Sequence, residues 1–400
     1  MPPSSRRRAL LLICAVAVAS ATNYTNHGPV LGFIRAEFGL SSADAGAIAT
    51  AFFLGAASTM LLGGGIADRI GTRPAVTLGF LLMVIGNLGT GLLAPTFPAL
   101  LAWRVLGGLG SGFSFAAGSS YTRSIFDDRG RHLAQGLYGA SFLLGSGITL
   151  AYIPLLAGPA GDWRLAFTLS GLGVATVWVI WTLLSPSEPR APLTRGARAA
   201  LAAAMRHRNT WLLALCHMCG FGMAIVVGTW VTLYLVDAFG LPIAAAGLLG
   251  SVTLVMGIAA RSSGGLILER GVPPVLLIRV GLSLAALGLA TIALAPVLPV
   301  AIVGLVATGL GVGLPYAAAF NGAAASAPAS PASAQALVGL GGLLSAIFGP
   351  PLVGSLLDAT SNFASGFLAL AAIVVVVLGL TRLIRPFSLE PAASTTPGSP

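Results

Sequence analysis

The feature that most constrains this chain is an internal repeat of short motifs within a sequence that is apolar almost throughout. Four motifs of the first half return in the same order in the second half, displaced by 200 or 201 positions. The pairs are Phe38-Gly39-Leu40 with Phe239-Gly240-Leu241, Gly64-x-x-x-Asp68-Arg69 with Gly265-x-x-x-Glu269-Arg270, Gly108-x-Gly110-x-Gly112 with Gly309-x-Gly311-x-Gly313, and Trp163-x-x-x-Phe167 with Phe363-x-x-x-Phe367. A duplicated apolar unit predicts two similar halves around a central site.

The composition requires that most of the chain be surrounded by hydrocarbon. Hydrophobic residues make up 56% of the 400 residues and charged residues only 8%, whereas a soluble domain carries roughly 25% charged residues. Apolar runs of about 20 residues predict membrane-spanning helices, because a helix satisfies its own backbone polar groups in lipid. Barrel strands would be about half as long and would alternate in polarity. The predicted helices lie at roughly 9–33, 43–66, 74–94, 98–121, 132–156, 165–185, 211–236, 243–267, 273–295, 299–322, 333–357 and 363–384.

These runs predict an all-α membrane protein of twelve transmembrane helices in two pseudo-symmetric six-helix bundles, residues 1–190 and 211–390. Residues 191–210 are predicted to form a cytoplasmic linker, whose second part favours a basic amphipathic helix on the membrane surface. The polar tail 391–400 is predicted to be disordered. Most arginines between the apolar runs share the side of the N-terminus, whereas only Arg35 and Arg164 lie on the other side. The excess of positive charge predicts cytoplasmic termini in a bacterial inner membrane.

Four motifs resemble those of the major facilitator superfamily. They are Gly64-Gly-Ile-Ala-Asp68-Arg69-Ile-Gly71-Thr-Arg73, Arg104-x-x-x-Gly108-x-Gly110, Asp162-Trp163-Arg164-x-x-Phe167 and Gly349-Pro350-Pro351-x-x-Gly354. The resemblance implies a twelve-helix secondary transporter that works by alternating access on a small-molecule substrate, with a proton as a possible co-substrate. We expect a monomer in the lipid bilayer. A membrane enzyme or receptor on a transporter-like scaffold is the competing class.

The sequence departs from the resemblance in two places. The fifth predicted helix lacks the Gly-Pro motif that exporters of the superfamily often carry, so proton-coupled export of drugs or metabolites becomes the alternative function. The second copy of the loop motif has Glu269 in place of aspartate and lacks the trailing arginine.

The loop motifs predict gates at the cytoplasmic face. Carboxylates at Asp68 and Glu269 can pair with arginine or accept hydrogen bonds from a helix N-terminus. We expect them to act as paired latches that hold the outward-open state; the alternative is a set of solvated charges near the headgroups. The predicted gating residues are Gly64, Asp68, Arg69, Arg73, Glu269 and Arg270.

Arginine is the only charged residue that the predicted spans carry deep inside the membrane, at Arg104 and Arg261. An intramembrane charge is costly and normally faces a cavity or a partner. A cavity with uncompensated guanidinium groups attracts anions, so we predict a small organic or inorganic anion as the substrate. Arg261 also resembles the arginine in the eighth helix of nitrate carriers, although their second-helix arginine has no counterpart here. The alternatives are a structural Arg104 and an Arg261 that extends toward the headgroups.

Polar residues cluster in the first helix, where Asn23, Tyr24, Asn26 and His27 are predicted to line the cavity. Hydrogen bonding between helices is the alternative. His27 is the candidate for proton coupling, and a structural histidine is equally consistent with its position. Other candidate substrate-binding residues, chosen by position and polarity, are Trp230, Tyr234, Tyr316, Asn321 and Gln335. Aromatic residues at such positions also serve as packing or interfacial anchors.

Other chemistries find little support in the sequence. Cys216-His217-x-Cys219 has neighbouring side chains that point apart and no further ligand cluster, so no metal site is predicted. A phosphate-binding glycine–lysine loop and a nucleophile–base set are both missing, so neither ATP-driven transport nor an enzyme is expected. The net charge of +10 comes from arginines scattered between apolar runs, not from a solvated basic face for nucleic acid. No cofactor is expected.

Overall fold

The computed structural model describes residues 3–126, 128–186 and 197–387. The side chains at 3–4, 61–68, 123–124, 128–133, 135–136 and 197–198 are outside this description. Within the described residues, twelve helical segments are long and apolar enough to cross a membrane. Numbered α1 to α12, the helices of these segments are 3–38, Ser42–Ile70, Thr72–Leu92, Phe97–Ile125, Asp128–Leu156, Trp163–Leu184, Arg208–Phe239, Ile243–Glu269, Pro274–Ala293, Leu298–Ser326, Pro331–Thr360 and Phe363–Leu380. The all-helical prediction with twelve spans is therefore confirmed.

Three of the spans are interrupted, each at a place where the sequence disfavours a continuous α-helix. In α1, a 3-10 turn at Gly28–Val30 separates Pro3–Thr25 from Leu31–Phe38. In α7, residues Met218–Gly222 form a π-helical turn. In α10, the helix breaks before Pro315, which has no N–H to donate to the preceding turn.

The two halves repeat the same packing. In the first half, α2 packs against α4, α3 packs against α4 and α6, and α1 packs against α5. In the second half, α8 packs against α10, α9 packs against α10 and α12, and α7 packs against α11. The halves meet along two equivalent seams, α2 with α11 and α8 with α5. The internal sequence repeat is thus a structural repeat.

Repeated glycines allow the close approach of helices within each half. A Cβ on Gly108 of α4 would collide with the carbonyl oxygen of Phe52 in α2. A Cβ on Gly309 of α10 would collide in the same way with the carbonyl oxygen of Thr253 in α8. Small residues let helix backbones touch in a membrane, where van der Waals packing holds helices together. The Gly-x-Gly-x-Gly motifs are therefore contact surfaces.

The signature motif that the sequence predicts as a loop is largely helical, which corrects that prediction. Helix α2 continues to Ile70, and α3 begins at Thr72. Gly71 alone makes the turn, with a φ of 96° that only glycine adopts without strain. Because this single residue reverses the chain, Gly71 is the whole connection between α2 and α3.

The linker helix, Ala197–Met205, packs against α11 of the second half. Ala204 on this helix is fully buried, and the indole of Trp211 donates to the carbonyl of Met205 at 2.8 Å. The predicted linker helix is present, but one face is covered by protein. Residues 191–196 of the linker and the tail at 391–400 lie outside the described residues. We call the face of the molecule that carries the linker helix the linker face.

Candidate functional site

A small cavity lies between the two halves, in the half of the molecule next to the linker face. Its volume is about 60 Å³, room for a few waters or a small solute. Helices of both halves contribute to it. Its lining residues are Tyr24, Ala56, Met60, Gly112, Phe115, Gly139, Phe142, His217, Phe221, Arg261, Tyr316, Phe320, Gly339 and Leu343.

Arg261 is the cationic residue of this cavity. One terminal nitrogen donates to the carbonyl of Gly139 in α5 at 3.3 Å, so the contact joins the two halves. The guanidinium carbon lies 4.1 Å from the ring centre of Tyr316 and 5.9 Å from that of Phe221. The buried Nε has no hydrogen-bond partner in the described part of the chain. None of the described lining residues is a carboxylate, and the guanidinium contacts among them are a carbonyl and aromatic rings.

Aromatic side chains form most of the cavity wall around Arg261. His217 stacks on Phe221, with ring centres 6.0 Å apart, and contacts Phe320 edge-on at 4.9 Å. The π-helical turn that begins after His217 contains Phe221, and such turns are frequent at functional sites. In the sequence, His217 stands out only as a candidate metal ligand beside Cys216 and Cys219. The sequence feature that could have placed His217 in the wall is its spacing of four residues from Phe221, the ring on which it stacks.

Tyr24 closes the cavity on the side of the first half. Its ring packs edge-on against Phe53 and Phe221, with ring centres 5.3 Å and 6.1 Å away. Its hydroxyl accepts a hydrogen bond from Ser111 at 3.3 Å. Tyr24, Arg261 and Tyr316 are the predicted substrate-binding residues that the structure brings together in this cavity.

Arg104 lies outside the cavity, inside the first half, although the sequence analysis placed it with Arg261. Its terminal nitrogens donate to the carbonyl of Asn23 at 3.0 Å and to the amide oxygen of Asn26 at 3.3 Å. Its guanidinium carbon lies 4.5 Å from the ring centre of Phe52. These contacts correspond to the structural alternative for Arg104.

Asn23 and Asn26 also lie outside the cavity, in a buried network that joins α1, α3 and α4. Asn26 donates to the amide oxygen of Asn87 at 3.2 Å, and Asn87 donates to the amide oxygen of Asn23. Both first-helix asparagines are fully buried. The network corresponds to hydrogen bonding between helices. Asn87 was missed because a single amide in an apolar run gives no signal without its partner.

His27 lies at the contact between the halves, away from the cavity. Its Nε2 is 3.4 Å from the hydroxyl oxygen of Thr229 in α7. Its Nδ1 is buried without a hydrogen-bond partner in the residues that the structure describes. Gly28, the next residue, packs directly on the backbone of Gly228. A separation of the halves at this level would expose the imidazole.

The remaining predicted substrate-binding residues are placed elsewhere. The indole of Trp230 donates to the carbonyl of Pro350 at 3.2 Å, and the hydroxyl of Tyr234 donates to that of Ile292 at 2.7 Å. Asn321 is exposed, and Gln335 donates to the carbonyl of Phe320 at 3.4 Å. Since none of them lines the cavity, the structure separates these side chains from Arg261.

The predicted gating residues lie at or near the linker face. Helix α2 contains Gly64 and Asp68, but their side chains are outside the described residues, so the latch stays a prediction. Arg69, Glu269 and Arg270 are exposed. No metal cluster of three or more ligands is found where the chain is described.

Arg73 fastens the start of α3 to the end of α6. It donates to the hydroxyl of Ser185 and to the carbonyl of Thr182, both at 2.7 Å. In the second half, Arg279 of α9 donates to the hydroxyl of Thr381 at 3.0 Å. Although the second motif copy lacks its trailing arginine, an arginine further along fastens the equivalent helices.

Comparison with known proteins agrees with this geometry. The family model described as Major Facilitator Superfamily matches residues 13–333. A solved bacterial homologue of the human lysosomal transporter Spinster superposes with a TM-score of 0.81 at 18% identity, covering 96% of this chain and 97% of that one. This likeness shows the fold.

Curated relatives match parts of the chain. A probable nitrate/nitrite antiporter, NarK1 of Thermus thermophilus, is 29% identical over 60% of this chain and 56% of its own length. A probable sulfoacetate transporter, SauU of Cupriavidus necator, is 25% identical over 66% of this chain and 65% of its own. The multidrug resistance protein MdtL of Escherichia coli is 31% identical over 40% of this chain and 41% of its own. The chain thus aligns with less than two thirds of each of these relatives.

The family match covers most of the residues from the first span to the eleventh, and the twelve spans and repeated packing agree with it. The chain therefore belongs to the Major Facilitator Superfamily, a family of transporters, and is a multi-pass membrane protein.

Proposed function

We propose that this transporter moves a small organic or inorganic anion through the cavity by alternating access, as a secondary active or facilitative carrier. The observation that carries the proposal is Arg261, a guanidinium in the cavity wall with no carboxylate among the lining residues that the structure describes. An unpaired charge at this depth is costly, and a bound anion would remove much of that cost. The planar guanidinium also offers paired donors to a carboxylate, nitrate or sulfonate group.

The cavity favours an anion of single charge. In the part of the wall that the structure describes, Arg261 is the one permanently charged side chain. The faces of aromatic rings carry partial negative charge and do not stabilise a second negative charge. The edges of the rings and the apolar surface around them suit the hydrocarbon part of a small organic anion.

Two relatives support an anionic substrate. The printed names of NarK1 and SauU assign nitrate or nitrite to one and sulfoacetate to the other, and all of these are anions. Because the alignments cover only part of each relative, the names support the class of substrate and not its identity.

The proposed mechanism is a rocking motion of residues 1–190 against residues 211–390. The excess of arginine on the linker face favours a cytoplasmic position for this face and both termini, in a bacterial inner membrane. Away from that face the halves are in contact, through His27 with Thr229 and Gly28 with Gly228. In this orientation the cavity lies on the cytoplasmic side of the closed contact. Opening would hydrate His27, which remains the candidate for proton coupling.

Uptake into proteoliposomes tests the proposal. We expect uptake of at least one of nitrate, acetate and benzoate by the wild type, and its loss in Arg261→Gln, which removes the charge and keeps a shorter polar side chain. Arg382→Gln is the matched control, because Arg382 is an exposed arginine of the same half. Uptake confined to a hydrophobic cation such as tetraphenylphosphonium, or anion uptake unchanged in Arg261→Gln, would contradict the proposal.

The alternative function is proton-coupled export of drugs or metabolites. The aromatic wall supports it, because ring faces bind flat apolar molecules and organic cations. The relative MdtL is named a multidrug resistance protein. Arg261 opposes binding of a cation, so the alternative is best restricted to neutral or anionic compounds.

A further inference from the structure

A carboxylate of the second half caps a helix of the first half at the face opposite the linker. The carboxylate of Asp358, near the end of α11, accepts hydrogen bonds from the N–H groups of Ser42 at 2.8 Å and Ala43 at 2.9 Å. These are the first two residues of α2. The next N–H, of Asp44, is satisfied within its own half by the hydroxyl of Ser41 at 3.0 Å. The first turn of α2 therefore depends on both halves for its hydrogen-bond acceptors.

The backbones of α2 and α11 are in close contact next to this cap. A Cβ on Gly354, one turn before Asp358, would collide with the carbonyl oxygen of Ser42. One turn further into the membrane, a Cβ on Gly46 would lie 2.6 Å from the carbonyl of Pro350. The glycine contacts align the helix end with the carboxylate. Asp358 itself is exposed, so its substitution leaves the interior unchanged.

The equivalent seam between α5 and α8 has the same glycine contacts without a cap. Gly247 of α8 packs on Pro154 of α5, and Gly158 packs on Ile243, the first residue of α8. Helix α5 ends at Leu156, whereas α11 continues to Thr360. The residue that precedes α8 is a proline whose side chain makes no capping hydrogen bond. At the face opposite the linker, one seam thus closes with a charge-assisted cap, whereas the described residues of the other seam make apolar contacts there.

We propose that Asp358 is a gating residue that holds the two halves together at the face opposite the linker. A carboxylate at a helix N-terminus is favoured by both its hydrogen bonds and the helix dipole. In the closed state this stabilisation acts between the halves. When the halves separate, Ser42 and Ala43 lose the carboxylate and are left to water. Removal of the carboxylate therefore raises the population of the state that is open at this face, whichever substrate is carried.

The test is the rate at which a buried cysteine reacts. In a background with Cys14, Cys216 and Cys219 replaced by alanine, Thr229→Cys places a thiol between the halves, where Thr229 is fully buried against His27. Its alkylation by a polar maleimide requires opening, so its rate measures the open population. Asp358→Ala is expected to raise this rate about fivefold, the factor for a helix cap of about 1 kcal/mol. Asp358→Asn keeps an acceptor oxygen, so its alkylation rate should lie between the rates with Asp358 intact and with Asp358→Ala.

Two controls separate a gate from general loosening. Asp162→Ala removes a carboxylate that also caps a helix, through the N–H of Arg164 at 2.9 Å, but within one half; the rate at Thr229→Cys should not change. A second reporter, Met60→Cys in the cavity wall, should not become more reactive in Asp358→Ala. An unchanged rate at Thr229→Cys in Asp358→Ala would overturn the proposal. So would an equal increase in Asp162→Ala, or at both reporters.

Discussion

At the residue scale, the structure assigns different tasks to two buried arginines that look alike in the sequence. Arg104 donates through both terminal nitrogens, to a carbonyl and an amide oxygen, within a buried network. Arg261 has one carbonyl partner and faces a cavity. The Nε of each lacks a partner among the described residues, so the two differ in the bonds of their terminal nitrogens and in their access to the cavity. We therefore expect substitutions near Arg104 to change stability and substitutions of Arg261 to change binding.

The network around Arg104 gives a direct prediction for stability. Asn87→Ala removes the amide that links Asn23 and Asn26, and leaves buried polar groups without a partner. The expected loss of stability is about 1–3 kcal/mol, seen as a lower midpoint of thermal unfolding in detergent. Asn321→Ala is the control, because Asn321 is exposed, and it should stay within about 0.5 kcal/mol of the wild type. Equal midpoints for the two variants would show that the network contributes nothing.

Residue chemistry could be predicted from the sequence, whereas contacts could not. The cost of charge in lipid identified Arg261, and Tyr316 followed from its position in the tenth helix. Trp230 and Tyr234 have the same polarity as Tyr316, but they face away from the cavity. Which side of a helix faces the cavity depends on how the halves are tilted against each other. No local pattern encodes that tilt.

At the element scale, the glycine motifs decide which helices touch. Gly108 and Gly309 lie at equivalent positions and each meets a backbone carbonyl of the neighbouring helix. The sequence shows that both glycines belong to a repeated motif. It does not show which neighbouring helix each of them contacts. The repeat shows that close packing of α4 on α2 and of α10 on α8 is a shared requirement of both halves.

This packing predicts a specific cost for added methyl groups. Gly108→Ala and Gly309→Ala should each destabilise the protein by about 1–3 kcal/mol, because the helices must move apart. Gly173→Ala is the matched control within a helix, since nothing lies within 4 Å of the position of its added Cβ. That variant should be neutral or more stable, because alanine favours helix. The measurement is the midpoint of thermal unfolding of the three purified variants. Equal midpoints would contradict the claim that the glycine motifs are contact surfaces.

At the scale of the whole molecule, the repeat, the hydropathy and the motifs together predicted the fold. Twelve spans follow from the length of the apolar runs, and the two-fold arrangement follows from the constant offset between motifs. The location of the cavity and of the closed contact could not be predicted in this way. Both depend on the conformation of the transporter, and a single sequence encodes all conformations of its cycle.

The central claim is that one guanidinium, Arg261, binds a small anion of single charge between the two halves. The most direct measurement is the thermal midpoint of the purified protein with a panel of monoanions (nitrate, formate, acetate, benzoate and methanesulfonate), dianions (sulfate and oxalate) and tetraphenylphosphonium. A ligand that binds the folded state raises the midpoint in proportion to its occupancy. We predict that one or more monoanions raise it, that dianions do not, and that Arg261→Gln abolishes the effect while Arg382→Gln keeps it. Stabilisation by the cation alone, or anion stabilisation that persists in Arg261→Gln, would contradict the claim.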